Sequence, residues 1–344
     1  MNTEEINFDE VVLIACGHTA FQLLWAGVQL GVFEVLSKEP DLTREEIAER
    51  IGLESQPARI LMTGLATLKL VIKEGDRFRN SRAVEVLATK DSPENMIDVL
   101  GWQAHIVYPS EIDFVESLKQ NTNVGLRHFK GDADNIYHRL PQNPFIADVF
   151  YNAMTSLSDS ANKMLAQLPV FKEISHLVDA GGGDATNALM LLNSHPHLNV
   201  TVFDGSTACE KAKVKIAEAD LADKIDTCAG DFFIDAFPEN IDAVLFGHMM
   251  PIWSPERDTA LLKRAYDALP SGGKVLLFNM MGNDDEIGPM SAALGSPYFL
   301  TTATGEGMMY TWKEYEKILA DAGFHQTERH VLPKDHGLLV GVKK

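Results

Sequence analysis

The stretch Val178-Asp179-Ala180-Gly181-Gly182-Gly183-Asp184-Ala185 constrains the fold more than any other. Three consecutive glycines remove every Cβ from a strand-to-helix turn, so a ligand can lie directly on the backbone and positive φ costs little. Further on, Thr201-Val202-Phe203-Asp204 ends a second apolar run in a carboxylate. A strand, a glycine turn, a helix and a second strand tipped by an acid make a nucleoside-binding crevice in an α/β fold. The acid can take both hydroxyls of a ribose.

The pattern around this stretch sustains an α/β reading. Strands are predicted at 176–180, 198–204, 225–229, 243–247 and 274–280, and helices at 184–194, 206–219, 256–269 and 311–322. Strands alternating with helices of this length form a parallel sheet covered on both faces. The ending differs, because 324–331 and 338–342 are joined by Pro333-Lys334-Asp335-His336-Gly337 with no helix between, which makes them an antiparallel pair.

The first half is organised differently. Between Val11 and Leu36 the chain is too apolar for solvated helices and lies outside any βαβ unit, so it should cover another surface. Asp41-Leu42-Thr43-Arg44-Glu45-Glu46 signals a helix start, Gly52 a stop, and Pro57 the opening of a second helix. A hairpin turning at Gly75-Asp76 follows, which completes a winged-helix module. Between Asp41 and Lys90 nine Lys or Arg stand against eight Asp or Glu, a net of +1, and the would-be recognition helix offers only Arg59 and Lys69. DNA-reading helices carry a basic stripe, so the module reads as a dimerisation scaffold. Residues 93–168 read as helical, interrupted by a loop over 121–144. The expected domains are 1–168, a helical winged-helix dimerisation and lid domain, and 169–344, the α/β domain.

Composition sets outer bounds. With 344 residues there is material for two cores. No apolar run reaches the roughly 20 residues that span a bilayer, and Met1-Asn2-Thr3-Glu4-Glu5 resembles neither signal nor transit peptide, so a cytoplasmic location is expected. Cys16, Cys209 and Cys228 lack metal-ligand spacing and read as reduced thiols. A net charge of -19 argues against nucleic acid and anionic membranes as partners.

The glycine run, Asp204, Gly230-Asp231-Phe232-Phe233 and Trp253-Ser254-Pro255-Glu256, in that order behind a winged helix, resemble the S-adenosylmethionine-dependent small-molecule O-methyltransferases, the family of acetylserotonin and caffeate methyltransferases. The resemblance covers nearly the whole chain. The GGG run in place of G-x-G-x-x-G, the Gly-Asp-Phe-Phe motif and the antiparallel end separate it from NAD enzymes. It implies a class I methyltransferase sheet of Rossmann-like type with an antiparallel last strand, S-adenosyl-L-methionine as cofactor and S-adenosyl-L-homocysteine as its product. By position, Gly181 and Gly183 would bed the methionine part, Asp204 would grip the ribose, Asp231 would accept from the adenine amine and Phe232 would wall the ring. Ser158 matches a serine that touches the cofactor carboxylate. Asp179 and Trp253 complete the cofactor set, with Asp179 equally open to a strand-end role.

The resemblance breaks at the acceptor. The family's base, a histidine two residues before the tryptophan, is replaced by Pro251, and its glutamate partner by Met309. Base-free O-methylation by alignment, C-methylation with a displaced base, and loss of methyl transfer all fit that departure. Substitute bases are His248 at a strand's carboxyl end, His336 in the hairpin, and His105 beside Trp102 and Tyr108 on a helix that could cover the pocket. Asp284-Asp285-Glu286 and Glu306 lie in the long loop that should shape the acceptor site, though Asp284 reads best as solvated. No close-spaced ligand pair suggests a metal. Met249-Met250, Met280-Met281 and Met308-Met309 point to a soft, apolar pocket, with core packing the alternative for about half of them. The expectation is methyl transfer to oxygen or carbon of a small, aromatic metabolite by a homodimer whose subunits close each other's pockets. The alternatives are a C-methyltransferase of an aromatic amino or keto acid, and a non-methylating or DNA-binding regulator with a vestigial cofactor domain.

Overall fold

The structure is a computed structural model that describes residues 5–344; the acidic opening Met1 to Glu4 lies outside the described residues. Two compact units divide between Ala104 and His105.

The first unit begins with three helices, α1 (Phe8–Ala15), α2 (Gly17–Gln29) and α3 (Val32–Lys38). A short strand β1 (Leu42–Thr43) then leads into α4 (Arg44–Ile51) and α5 (Ser55–Thr67). The Thr43 hydroxyl accepts from the Glu46 amide while the Glu46 carboxylate accepts from the Thr43 amide, a capping box that starts α4 within the expected stretch Asp41 to Glu46. Gly52 ends it in the left-handed region. The wing is β2 (Val71–Glu74) and β3 (Arg77–Asn80), paired antiparallel and turning at Gly75-Asp76 as expected, with sheet order β1-β3-β2. Helices α6 (Arg82–Leu87) and α7 (Ile97–Trp102) follow. Phe33, Leu36, Ile47, Met62, Leu65, Val71 and Phe78 form the core, and Gly27 admits the Phe33 ring where any Cβ would stand 2.6 Å from it.

The second unit carries α8 (Tyr108–Glu111), α9 (Phe114–Gln120), α10 (Ile136–Arg139) and the 22-residue α11 (Pro144–Leu165). A π-helical turn, Gln103–Val107, bridges the division in the chain. The sheet then builds from β4 (His176–Ala180), β5 (Asn199–Asp204), β6 (Ile225–Ala229), β7 (Ala243–Gly247), β8 (Lys274–Met280), β9 (His325–Val331) and β10 (His336–Val342). Its order is β6-β5-β4-β7-β8-β10-β9, parallel except for β10 and β9. Helices α12 (Thr186–Ser194), α13 (Ser206–Glu218), α14 (Pro255–Ala268), α15 (Met290–Tyr298) and α16 (Trp312–Asp321) fill the connections. The buried clusters on the two sheet faces hold Val244, Phe246, Leu277 and Leu339 on one, and Leu245, Leu276, Phe278 and Leu338 on the other. That alternation explains the near-continuous apolar strands read from the sequence.

One boundary falls elsewhere. The packing division falls at 104/105 and the expected one at 168/169, because α11 lies along α12 and α8 and α9 pack against the π-helical turn Phe299–Ala303. The loop-bearing interval 121–144 winds through the 3-10 turns Val124–His128 and Leu140–Gln142 around α10. Among the described residues no single helix is long and apolar enough to cross a membrane.

Candidate functional site

The crevice starts where β4 ends. Gly181 and Gly183 have φ of +73° and +60°, left-handed values that glycine adopts without a Cβ penalty. A Cβ on Gly181 would stand 2.5 Å from Sδ of Met249, whereas one on Gly183 would project into open space with nothing within 4 Å. Ala185 is also left-handed, so α12 begins at Thr186 rather than at 184. Asp204, at the tip of β5, spans the turn: one carboxylate oxygen accepts from the Gly183 amide at 2.9 Å and the other from the Gly205 amide at 2.6 Å. Burial raises its pKa, and those two amides work against the rise. Each oxygen keeps a lone pair for a further donor. Asp179 sits beneath the turn, fully buried, with one oxygen 2.6 Å from where a Gly182 Cβ would be. Burial first and the Asp204 charge second push it up to about 7, against a lowering by Asn187.

The neighbouring strand end extends the crevice. The Gly230 amide donates to the Asp204 carbonyl, and the Asp231 carboxylate accepts from the Phe233 amide at 2.9 Å while staying exposed. Phe232 is half-buried between Phe203 and Phe233, with ring centroids 6.3 and 5.1 Å away. Trp253 meets Phe233 edge-on at 5.0 Å, lies under the Arg257 guanidinium at 4.1 Å, and has an enclosed Nε1 without a partner among the described residues. A polar cavity of about 200 Å³ opens beside Trp253 and Arg257, lined also by Asn123, Asp134, Thr304 and Glu306. Ser158 is half-buried on α11.

This donor set fits an adenosine cofactor. The open space over Gly183, the accepting capacity left on Asp204 and Asp231, and the aromatic wall at Phe232 are what a ribose, an adenine amine and an adenine face require.

At the acceptor side Pro251 is buried and Met309 half-buried, and neither carries a proton-accepting group. Two of the three expected histidines meet instead. Nε2 of His248 lies 3.1 Å from Nε2 of His336, and Nδ1 of His336 lies 2.7 Å from the Lys334 carbonyl. Both rings pack on Phe278, at 4.8 and 5.6 Å. Burial first and His336 second push His248 down to about 3, and burial also lowers His336. His105, in the π-helical turn, packs edge-on to Phe145 at 5.1 Å. π-helical turns gather at functional sites, and nothing in residue order foretells one.

Other expected residues find structural work. Burial opposes ionisation of Asp284, but the Arg329 guanidinium at 2.6 Å and the Lys313 amide at 2.9 Å hold its pKa low. Glu306 pairs with Arg257 at 3.4 Å. Met249, Met250 and Met281 belong to the sheet core, whereas Met280 and Met309 are half-buried and Met308 is exposed. Among the described residues no group of three His, Cys, Asp or Glu is placed to hold a metal ion. Sequence reasoning passed over Asp258 in α14, which is completely buried and pushed up to about 9 by burial. Its position one turn into an amphipathic helix gave the only hint.

Comparison with known proteins follows the same division. An O-methyltransferase domain model matches residues 116–325, and an O-methyltransferase dimerisation domain model matches 12–90. The chain is 37% identical to the L-tyrosine C(3)-methyltransferase of Streptomyces lavendulae, across 98% of this chain and 93% of that one. It is 30% identical to the 3-hydroxy-5-methyl-1-naphthoate 3-O-methyltransferase of Streptomyces sahachiroi, across 96% and 94%. Among solved structures, the S-adenosylmethionine-dependent methyltransferase SibL superposes with a TM-score of 0.85 at 38% identity, covering 98% of this chain and 99% of SibL. Human N-acetylserotonin methyltransferase, solved with S-adenosylmethionine, gives 0.84 at 22% identity over 100% and 99%, a likeness of fold.

Proposed function

The chain belongs to the S-adenosylmethionine-dependent O-methyltransferase family, and we propose that it methylates a phenolic small molecule of the aromatic amino acid class, at a ring carbon beside the hydroxyl. Methyl transfer with this cofactor follows from the family; the acceptor and the named residues are the proposal. Nothing in the comparisons favours a DNA-binding or non-methylating regulator.

The observation that carries the cofactor reading is the bond from the Gly183 amide to Asp204 beside open space over that glycine. When bound, S-adenosylmethionine supplies an electrophilic methyl group on a sulfonium and is left as S-adenosylhomocysteine. Asp204 would hold the ribose hydroxyls, Asp231 the adenine amine, and Phe232 and Trp253 the adenine side of the crevice. Gly181, Gly183 and Ser158 would receive the methionine part. Asp179, enclosed beneath the turn, would support it from below. His248 would remove the phenol proton, which makes the adjacent ring carbon nucleophilic, with His336 behind it. His105 would cover the acceptor, as part of the lid role expected within residues 1–168.

A ring-carbon acceptor accords with the loss of the base and partner that O-methylating relatives use at Pro251 and Met309. It also accords with the tyrosine C(3) activity named for the 37%-identical relative. The dimerisation domain supports a homodimer, and three free cysteines accord with a cytoplasmic setting. The test is mass spectrometry of products from tyrosine deuterated at both ring carbons next to the hydroxyl. C-methylation gains a methyl and loses one deuterium; O-methylation keeps both. A product that keeps both, or no product from any phenolic amino acid, would refute the carbon assignment.

A further inference from the structure

We infer that His248 and His336 act as one proton-accepting unit, in which Nδ1 of His248 takes the acceptor's proton and His336 is the positioning residue that directs it there. This rests on the reading above that the site methylates an acceptor with an acidic hydrogen.

Hydrogen bonding assigns the tautomers. The Lys334 carbonyl can only accept, so Nδ1 of His336 carries the hydrogen, and in the neutral ring Nε2 of His336 is then an acceptor. The 3.1 Å contact between the two Nε2 atoms therefore requires His248 to donate from Nε2. The lone pair of His248 is left on Nδ1. That atom has no partner among the described residues and is not one of the enclosed unpaired polar atoms, and the side chain is half-buried. The one basic nitrogen of the pair is thus the one left open.

The backbone is arranged to present it. His248 has φ +55°, a left-handed value that costs an ordinary residue roughly 1–2 kcal/mol and gathers at functional sites. Its amide donates to the Phe278 carbonyl at 2.7 Å, which holds the turn at the carboxyl edge of β7. The next residue, Met249, lies against Gly181, so the strand end that bears the pair also abuts the cofactor turn. Phe278 backs both rings, and the charged groups that act on the pair are Asp335 and Lys334 of the hairpin, through His336.

The proton balance closes with one proton released. The acceptor's O–H bond breaks and an N–H bond forms at Nδ1 of His248, the imidazolium charge being shared through Nε2–H with Nε2 of His336. The ring carbon bonds the methyl group and then loses its own hydrogen as a proton, which restores the aromatic ring; the phenol O–H re-forms by return of one proton, and the other passes to solvent. Burial keeps both rings neutral at rest and lowers their basicity, so the transfer is favoured only as the phenol's electrons are drawn into the new carbon bond. Imidazolium forms as positive charge disappears from the neighbouring crevice, so the site's net charge is unchanged across the transfer.

Long-range proton–nitrogen NMR of the full-length protein with labelled histidine, free of cofactor, reads the tautomers directly. The expected result is opposite forms, Nε2–H in His248 and Nδ1–H in His336; the same tautomer in both, or a protonated pair at neutral pH, overturns the inference. His336→Phe should lower kcat by about 10²-fold and remove the fixed His248 tautomer, whereas His336→Gln, which retains an accepting oxygen, should recover most of the rate. Equal effects of the two variants overturn the positioning role. Calorimetry with S-adenosylhomocysteine separates the levels: wild type that fails to bind it sinks the methyltransferase reading, while binding with the wrong tautomers sinks only this one.

Discussion

His248 concentrates what single residues decide here. Its left-handed backbone suits glycine, so His248→Gly relieves strain while deleting the imidazole. We expect stability within about 1 kcal/mol of wild type, from the lost Phe278 contact set against the strain, and turnover lower by about 10²-fold. Urea denaturation and initial rates check both; unchanged turnover would return His248 to a packing role. Asp179 offers a pH test. Its folded pKa, about 7, lies above the ordinary carboxyl value of 3.8, so between these values the folded state holds a proton that the unfolded chain has lost. Its contribution therefore falls as pH rises from about 4 to 7, by on the order of 4 kcal/mol at most. Asp179→Asn removes that loss. The variant's stability relative to wild type should climb across this window and level off above it, read by denaturation at successive pH values; a constant difference would mean that Asp179 is ionised throughout. The place of Asp204 was legible in the sequence because a strand tip fixes where a side chain stands. The His248–His336 contact was not, since β7 and β10, one on each side of β8, bring these ends to the same edge only through the sheet order.

At the level of elements, the glycine turn separates two effects that a single substitution usually mixes. Gly183→Ala places a methyl where no atom lies within 4 Å, so its cost to the fold is conformational, about 1–2 kcal/mol for an L residue at φ +60°. The same methyl projects into the open space that the cofactor reading assigns to the ligand. S-adenosylhomocysteine affinity should therefore drop far more than stability does, by tenfold or more, as calorimetry beside denaturation would show. An affinity that merely tracks stability would show that the cofactor lies elsewhere. The central strands could be read almost to the residue because they are buried on both faces, which leaves continuous apolar runs bounded by turn residues. The lid was harder. The π-helical turns at Gln103–Val107 and Phe299–Ala303 and the short turns around α10 depend on packing between segments far apart in sequence, and local propensity carries no record of that. For the same reason the packing division at 104/105 was invisible: α11 reads as one more helix until α12 lies beside it.

For the whole molecule the open question of physics is how a chain with net charge -19 associates with a copy of itself. The first unit offers apolar surface for it. Phe8, Ile14 and Ile60 are 80%, 71% and 62% exposed, and a groove of about 570 Å³ runs between α2 and α5, lined by Leu23, Ala26, Leu30, Pro57 and Ile60. Burying a side chain such as Ile60 is worth about 1.5–3 kcal/mol, so a handful of them meets the need of a stable dimer. The charge opposes it. Coulomb repulsion between two acidic subunits is long-ranged and is screened within about 8 Å at physiological salt, while the apolar contact is not weakened by salt. Dimerisation through this face should therefore tighten as sodium chloride rises from low to moderate concentration, the reverse of an interface held by ion pairs. Ile60→Asp places a charge in the groove, where an unpaired carboxylate is costly to bury, and should weaken association by at least 10²-fold while the monomer stays folded, since Ile60 is already exposed. Sedimentation or light scattering over a concentration series, at two salt levels and with circular dichroism as the folding control, measures both. A variant that still dimerises as wild type does, or a dimer that loosens as salt is added, would place the interface on another surface.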